Sequence, residues 1–248
     1  MRDSRRRNRN IGTEKQGHGQ DNRLTIPESY THRDVRFFTE RLTEGYSKVM
    51  RRINGHEFVF IIEKTSPGFL HACSVDDVAY MLGYIPLSDY GALKYIVFRQ
   101  PTQKEKILSS VWGRLSYSYW FEEKFFPAVI LEAFKEGDEL VWSRKLSVQD
   151  TLEFERLKQD GHVFAEDKRS YKSQLTQEAV RSTQLYRTLL HEIGHYVHYQ
   201  NVLHEEGEDF YFESVLKEEK EKFAHAYADK MASKLRAAHI IPFPSSHE

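Results

Sequence analysis

The chain has 248 residues, of which 40% are hydrophobic and 29% are charged, and its formal net charge is −1. These values are ordinary for a globular protein, and so small a net charge gives no general reason to expect binding to nucleic acid or to an anionic membrane. The single cysteine, Cys73, excludes an intrachain disulfide. No apolar run approaches the ~20 residues of a transmembrane helix, and no apolar signal core follows the N-terminal arginines. We therefore expect a cytoplasmic protein that does not engage a membrane.

Residues 1–28 differ in composition from the rest of the chain. The segment is rich in Asn, Gln, Gly and Asp, and it carries six arginines: Arg2, Arg5, Arg6, Arg7, Arg9 and Arg23. Such a segment buries too little apolar surface to offset its ordering entropy, so we predict a disordered basic tail. Its arginines can contact phosphates, but a solvated tail is favoured over nucleic-acid binding. Residues 29–248 are predicted to form a single domain.

The first predicted element is a helix from about Thr31 to about Gly55. Thr31 with Asp34 resembles a capping arrangement, and Gly55 suits a helix stop. The apolar residues between them recur at helical spacing: Val35, Phe38, Leu42, Tyr46, Val49 and Ile53.

Short strands and helices are predicted over the middle of the chain. Apolar runs at 58–62, 93–98, 115–121 and 128–134 suit strands, whereas 76–82 and 148–157 have helical spacing. Three tryptophans in this region are expected to pack in the core or at its rim rather than to bind a substrate: Trp112, Trp120 and Trp142.

The sequence His-Glu-Ile-Gly-His at 191–195 is the strongest indication of function, and it lies within a predicted helix from about 176 to 200. His191 and His195 are four residues apart, so their imidazoles share one face of the helix. Two nitrogens can then reach one metal ion, and Glu192 can move a proton for a metal-activated water. Gly194 is costly in a helix interior, by ~1 kcal/mol relative to Ala, which suggests a close contact with a neighbouring element.

A catalytic zinc needs a third protein ligand as well as an open position. His198 lies too far along the helix axis to share one ion with both motif histidines. We expect His198 to hydrogen-bond a neighbour, to support a ligand or an oxyanion, to line the cleft or to lie on the surface. No further histidine completes the motif at close spacing, so a carboxylate on a second helix is predicted to be the third ligand.

That second helix is predicted over about 215–238. Its apolar stripe has spacings of three and four: Phe223, Ala224, Tyr227, Ala228, Met231, Ala232 and Leu235. Glu221 lies one turn before Ala224 of this stripe and is the favoured ligand. Glu219 aligns with Phe223 and stays an alternative, and Glu213 and Glu218 are further rivals.

Two motifs together, His-Glu-Ile-Gly-His at 191–195 and Glu-Lys-Phe-Ala-His-Ala-Tyr-Ala at 221–228, resemble the ImmA/IrrE-type zinc peptidases. These gluzincin-like proteins pair an H-E-x-G-H helix with a later E-x-x-A-x-x-F-A helix. The resemblance covers residues 176–238 and implies Zn²⁺ on His191, His195 and Glu221, with Glu192 as the general base. Tyr227 stands where the family has Phe, and the N-terminal half has no counterpart.

The order of elements predicts an α+β, zincin-like fold, in which a mostly antiparallel sheet packs on the active-site helix and a ligand helix follows. An exposed strand at 115–121 or 128–134 can pair with an extended peptide. His225, one turn beyond Glu221, is expected to orient a ligand or to stabilise an oxyanion. Tyr196 and Tyr199 are other candidates for the oxyanion.

The leading hypothesis is a zinc metallopeptidase that hydrolyses peptide bonds in a protein or peptide substrate. The alternative is a zinc-containing regulatory or interaction protein without general proteolytic activity. In that case the basic tail would contact nucleic acid or a partner.

Overall fold

A computed structural model describes residues 41–42, 45–108 and 111–245, all within one compact unit, Phe38–Glu248. The predicted tail at 1–28 and the start of the predicted first helix lie outside the described residues. The strands are β1 (Tyr46–Ile53), β2 (His56–Glu63), β3 (Phe69–Leu70), β4 (Tyr95–Arg99), β5 (Gly113–Phe121), β6 (Lys124–Glu132), β7 (Phe134–Lys135), β8 (Glu139–Ser143), β9 (Ala165–Glu166) and β10 (Ser170–Gln174). The helices are α1 (Val75–Gly83), α2 (Gln103–Leu108), α3 (Val148–Gln159), α4 (Gln177–Thr183), α5 (Leu189–Glu205), α6 (Glu208–Glu213) and α7 (Lys217–Ala237).

The main sheet has five strands in the order β1-β2-β4-β6-β5. Strand pairs β1/β2 and β5/β6 are antiparallel, whereas β2/β4 and β4/β6 are parallel. Two smaller sheets, β8-β10-β9 and β3-β7, are antiparallel throughout. The predicted α+β class is therefore confirmed. The main sheet is mixed, because the connection through α1 returns the chain to the same end of the sheet before β4 begins.

The prediction of a helix reaching Gly55 is wrong for its described part. Tyr46–Ile53 is strand β1, which pairs with β2 along its whole length. The turn between them has φ of 50° at Asn54 and 84° at Gly55, and an Asn-Gly pair with both φ angles positive is the preferred two-residue hairpin turn. Gly55 thus closes a hairpin rather than ending a helix, and pairing with β2 overrides the helical spacing of the side chains.

The other predicted strands and helices are confirmed with boundary shifts of a few residues. Capping boxes fix the starts of α1, at Ser74 with Asp77, and of α3, at Ser147 with Asp150. Among the described residues, no helix combines the length and the apolar character that a membrane crossing would require.

Helix α5 packs against one face of the main sheet. Its residues Leu189, Leu190 and Ile193 are fully buried and share one core cluster with Phe58 and Val129 from the sheet. The predicted helix over 176–200 is the continuous run of α4, a π-helical turn at Gln184–Thr188, and α5. Thr176 caps its start by accepting a hydrogen bond from the backbone N–H of Ala179.

The π-helical turn ties this helical run to the sheet. The side-chain amide of Gln184 donates to the carbonyl oxygens of Trp112, at 2.9 Å, and Glu132, at 2.7 Å. Trp112 immediately precedes β5, and Glu132 ends β6. Single π-helical turns occur frequently at functional sites, and this one fixes the start of α5 beside the edge strand β5.

Candidate metal centre

Three side chains from α5 and α7 converge on one point. The Nε2 atoms of His191 and His195 are 3.0 Å apart. One carboxylate oxygen of Glu221, Oε2, lies 3.4 Å from the first nitrogen and 3.6 Å from the second. In the described part of the chain, these three residues form the group of His, Cys, Asp and Glu side chains that could hold a metal ion.

The donor set fits zinc, and so do the distances from Glu221. Two imidazole nitrogens and one carboxylate oxygen are a known catalytic ligand set, and tetrahedral bonds of about 2.0–2.2 Å separate the ligand atoms by about 3.3–3.6 Å. The two distances from Glu221 lie in this range. The two nitrogens, at 3.0 Å, are closer than this, so they would have to separate by about 0.3 Å to bind one ion. Burial, reinforced by His195 and His225, lowers the pKa of His191 to about 3. Burial also lowers the pKa of His195, against the opposing effect of Glu221. Both imidazoles are therefore neutral at neutral pH and present the lone pairs that a metal requires.

Gly194 allows the two ligand helices to approach. A Cβ atom at this position would lie 3.0 Å from both Cα and O of Ala224 and 3.1 Å from Cβ of Tyr227. The close contact that Gly194 suggests in the sequence is confirmed, and the neighbouring element is α7. Helix α7 carries Glu221 one turn before this contact, so the carboxylate can reach both histidines.

Glu192 is 9% exposed and points to the start of the edge strand. The backbone N–H of Leu115 in β5 lies near its carboxylate and favours the ionised form. Burial, followed by repulsion from Glu221, raises the pKa of Glu192 to about 8, while the N–H of Leu115 and the charge of Arg114 oppose the rise. A cation at the neighbouring ligands would favour the ionised carboxylate.

The rival acids lie elsewhere on the surface. Glu213, Glu218 and Glu219 are exposed, and none of them belongs to the candidate metal group among the described residues. His198 also lies apart from this group, because its ring stacks on Phe223 with centroids 4.5 Å apart and an interplanar angle of 10°. His198 is therefore a buried packing residue.

His225 lies beside the metal group, with its ring centroid 4.4 Å from that of His191. Nη1 of Arg156 lies 3.5 Å from Nδ1 of His225. A guanidinium can only donate, so Nδ1 acts as the acceptor and the neutral ring carries its proton on Nε2. Burial, followed by the charge of Arg156, lowers the pKa of His225. Asp229 accepts a hydrogen bond from Arg156 at 3.3 Å and holds the guanidinium in place.

The other two predicted oxyanion candidates have partners of their own. The hydroxyl of Tyr196 accepts a hydrogen bond from the backbone N–H of Ala92, and the hydroxyl of Tyr199 donates to Glu208. Tyr117 on β5 also lies near the candidate site, and the sequence analysis did not identify it. Its hydroxyl is 2.9 Å from that of Tyr211. Burial raises the pKa of Tyr117, and the charges of Glu192 and Glu221 add to the rise.

A cleft of about 510 Å³ opens beside the metal group. Its lining includes Trp112 and Trp142, which the sequence suggested for core or rim packing, together with His191, Glu192 and His225. No sequence motif identifies these walls, because they come from the start of β5 and from the five-residue strand β8.

Comparison of the chain with protein-family models, with curated proteins and with solved structures found no match.

Replacing Glu221 by Ala should weaken zinc binding by more than about 100-fold, the upper range seen for changes to residues that merely support a ligand. Two histidines alone hold the ion poorly. Zinc content after dialysis and competition with a chromogenic chelator measure this loss. Glu219→Ala, an exposed change two residues away, is the matched control and should retain zinc. If the Glu221→Ala variant retains zinc and the Glu219→Ala variant loses it, the ligand assignment is wrong.

Replacing Gly194 by Ala should both destabilise the fold and weaken zinc binding. Overpacking costs about 1–3 kcal/mol, which exceeds the ~1 kcal/mol gained in helix propensity, and separation of the helices would draw Glu221 from the histidines. Urea unfolding of the chelator-treated protein measures the first effect, and zinc titration measures the second.

The control for this change is Gly83→Ala. Gly83 is also helical, but a Cβ there would meet nothing within 4 Å, so this variant should be neutral or more stable by up to ~1 kcal/mol. Unchanged stability and zinc affinity in Gly194→Ala would contradict the proposed role of the close helix contact.

Proposed function

We propose that this protein is a zinc-dependent metallopeptidase with a zincin-like arrangement of its active-site and ligand helices. The observation that carries the proposal is the convergence of His191, His195 and Glu221 from two helices, with Glu192 beside them. The resemblance of the two motifs to the ImmA/IrrE-type peptidases supports the same assignment. A protein or peptide is the proposed substrate.

The chemistry divides between the ion and Glu192. Zinc, when bound, supplies a Lewis acid that polarises a carbonyl and lowers the pKa of water toward ~7. Glu192 accepts a proton from the attacking water as the water oxygen bonds to the carbonyl carbon. The same carboxyl then delivers the proton to the amine nitrogen as the carbon–nitrogen bond breaks. The backbone N–H of Leu115 lies near the Glu192 carboxylate and favours its ionised form.

Strand β5 is the proposed platform for the substrate backbone. It is the last strand of the main sheet in the described part of the chain, and its Leu115 contacts Glu192. An extended peptide can pair with such an edge through main-chain hydrogen bonds. The alternative platform at 128–134 is wrong, because β6 lies between β4 and β5.

His225 is the proposed donor to the oxyanion. Its Nδ1 faces Arg156, so its Nε2–H is the proton that can be donated to a developing negative charge. Arg156 acts as a positioning residue, since it sets the tautomer of this ring.

Replacing Glu192 by Gln should retain zinc and lower the rate of peptide cleavage by about 10²–10⁴-fold, the range for loss of a general base. The assay is mass spectrometry of a peptide library incubated with zinc-loaded protein. Glu178→Gln, an exposed change in the first turn of α4, is the control and should cleave as the wild type does.

Two outcomes would contradict the peptidase. One is equal cleavage by the Glu192→Gln variant. The other is a zinc-loaded wild-type protein that cleaves nothing, which would favour the regulatory alternative. A salt-sensitive complex that depends on Arg5, Arg6, Arg7 and Arg9 and ignores Glu192→Gln would identify that alternative.

Replacing His225 by Ala should lower kcat by about 10²–10³-fold, the loss expected for one oxyanion donor, with little change in KM or zinc content. The control is His204→Ala at an exposed position near the end of α5, which should leave kcat unchanged. If the His225→Ala variant keeps the wild-type kcat, a different residue must donate to the oxyanion.

A further inference from the structure

The cleft beside the metal centre has mainly apolar walls. Trp112 precedes β5, Leu140 and Trp142 come from β8, and Leu157 comes from α3. His191, Glu192 and His225 line the same cleft, so the space opens directly onto the proposed reacting groups. Its volume of about 510 Å³ lies within the range of ligand pockets.

The walls are held in place by packing. Leu140 and Trp142 are alternate residues of β8 and share one of its faces. The ring of Trp142 meets the buried ring of Phe154 edge to face, with centroids 6.1 Å apart. Leu157 is 2% exposed. Binding to a preformed apolar surface of this kind is most favourable for another large apolar side chain, because both bury apolar area.

The guanidinium of Arg187 is already paired with two carboxylates. Arg187 lines the cleft, and its Nη1 donates to both carboxylate oxygens of Glu153 at 2.6 Å. Its Nε donates to Asp160 at 2.9 Å. Of these two carboxylates only Glu153 lines the cleft, so an acidic guest would meet its charge and a basic guest would meet the guanidinium. The cleft therefore offers neither charged guest a free counter-ion.

The position of the cleft along β5 sets which substrate residue reaches it. Glu192 contacts Leu115, whereas the cleft adjoins residues 111–113, toward the N-terminal end of the strand. Antiparallel pairing is the more stable mode per residue, and a peptide bound antiparallel to β5 runs toward this end. The residue that follows the scissile bond would then lie over the cleft.

We propose that this cleft is a specificity pocket for a bulky apolar residue, aromatic or long aliphatic, on the carboxyl side of the cleaved bond. The proposal rests on the proposed peptidase function for the meaning of the bond, but binding of the side chain depends only on the pocket. Trp112, Leu140 and Trp142 are its specificity-determining residues.

Binding can be tested without cleavage in the zinc-loaded Glu192→Gln protein. The probes are alanine hexapeptides with one central residue changed to Phe, Leu, Asp or Lys, and the fluorescence of Trp112 and Trp142 reports occupancy. The Phe peptide should bind about tenfold or more tightly than the Asp and Lys peptides, a ratio within reach of one buried aromatic side chain. Equal affinity for all four peptides would overturn the proposal.

Two variants locate the pocket with the same four peptides. Their binding is measured by calorimetry, because one variant removes a tryptophan. Trp142→Ala removes a wall, and Leu140→Phe fills the space from the neighbouring position, so each should abolish the preference for Phe. Because one change enlarges the pocket and the other narrows it, a folding defect in one leaves the other informative. Val163→Ala, at a position that is 83% exposed, should keep the preference. Preference retained in both pocket variants would contradict the assignment.

Product sequences from the active wild-type protein complete the test. An apolar residue should follow the cut bond, and Trp142→Ala should broaden this position. Cleavage with no preference at this position would contradict the specificity pocket but not the peptidase function. Selective binding of the Phe peptide by a protein that cleaves nothing would contradict the peptidase function but support the pocket.

Discussion

The close packing of α5 against α7 is the constraint on which the candidate site depends. Neither helix carries a complete ligand set, because the histidines lie on one and Glu221 on the other. Gly194 is the point where the backbones come nearest, and any larger side chain would meet the backbone of Ala224. The residue that looks least suited to a helix interior is thus the one that lets the carboxylate reach the two imidazoles.

The sheet contributes the other half of the arrangement. Gln184 joins the helical run to the main chain at Trp112 and Glu132, and the backbone N–H of Leu115 lies near the Glu192 carboxylate. Residues 111–113 beside β5 and the buried carboxylate of Glu192 line the same apolar cleft. A substrate paired with β5 would present its backbone to the metal centre and a side chain to Trp112 and Trp142, so binding and chemistry would depend on the same strand.

The helices and the candidate metal group could be predicted from sequence because both depend on local spacing. His191 and His195 share a helix face by periodicity alone, and the stripe following Glu221 indicated which acid faces α5. Strand β1 was mistaken for a helix because its spacing is helical, while its pairing partner and the Asn54–Gly55 turn decide its structure. The cleft walls could not be predicted, since Trp112 and Trp142 are brought together only by the tertiary fold.

The most direct test of the central claim is anomalous diffraction at the zinc absorption edge from crystals of the zinc-loaded protein. The account predicts one strong peak within about 2.0–2.2 Å of Nε2 of His191, Nε2 of His195 and a carboxylate oxygen of Glu221. A peak bound to other side chains, or no peak in a protein shown to contain zinc in solution, would contradict it.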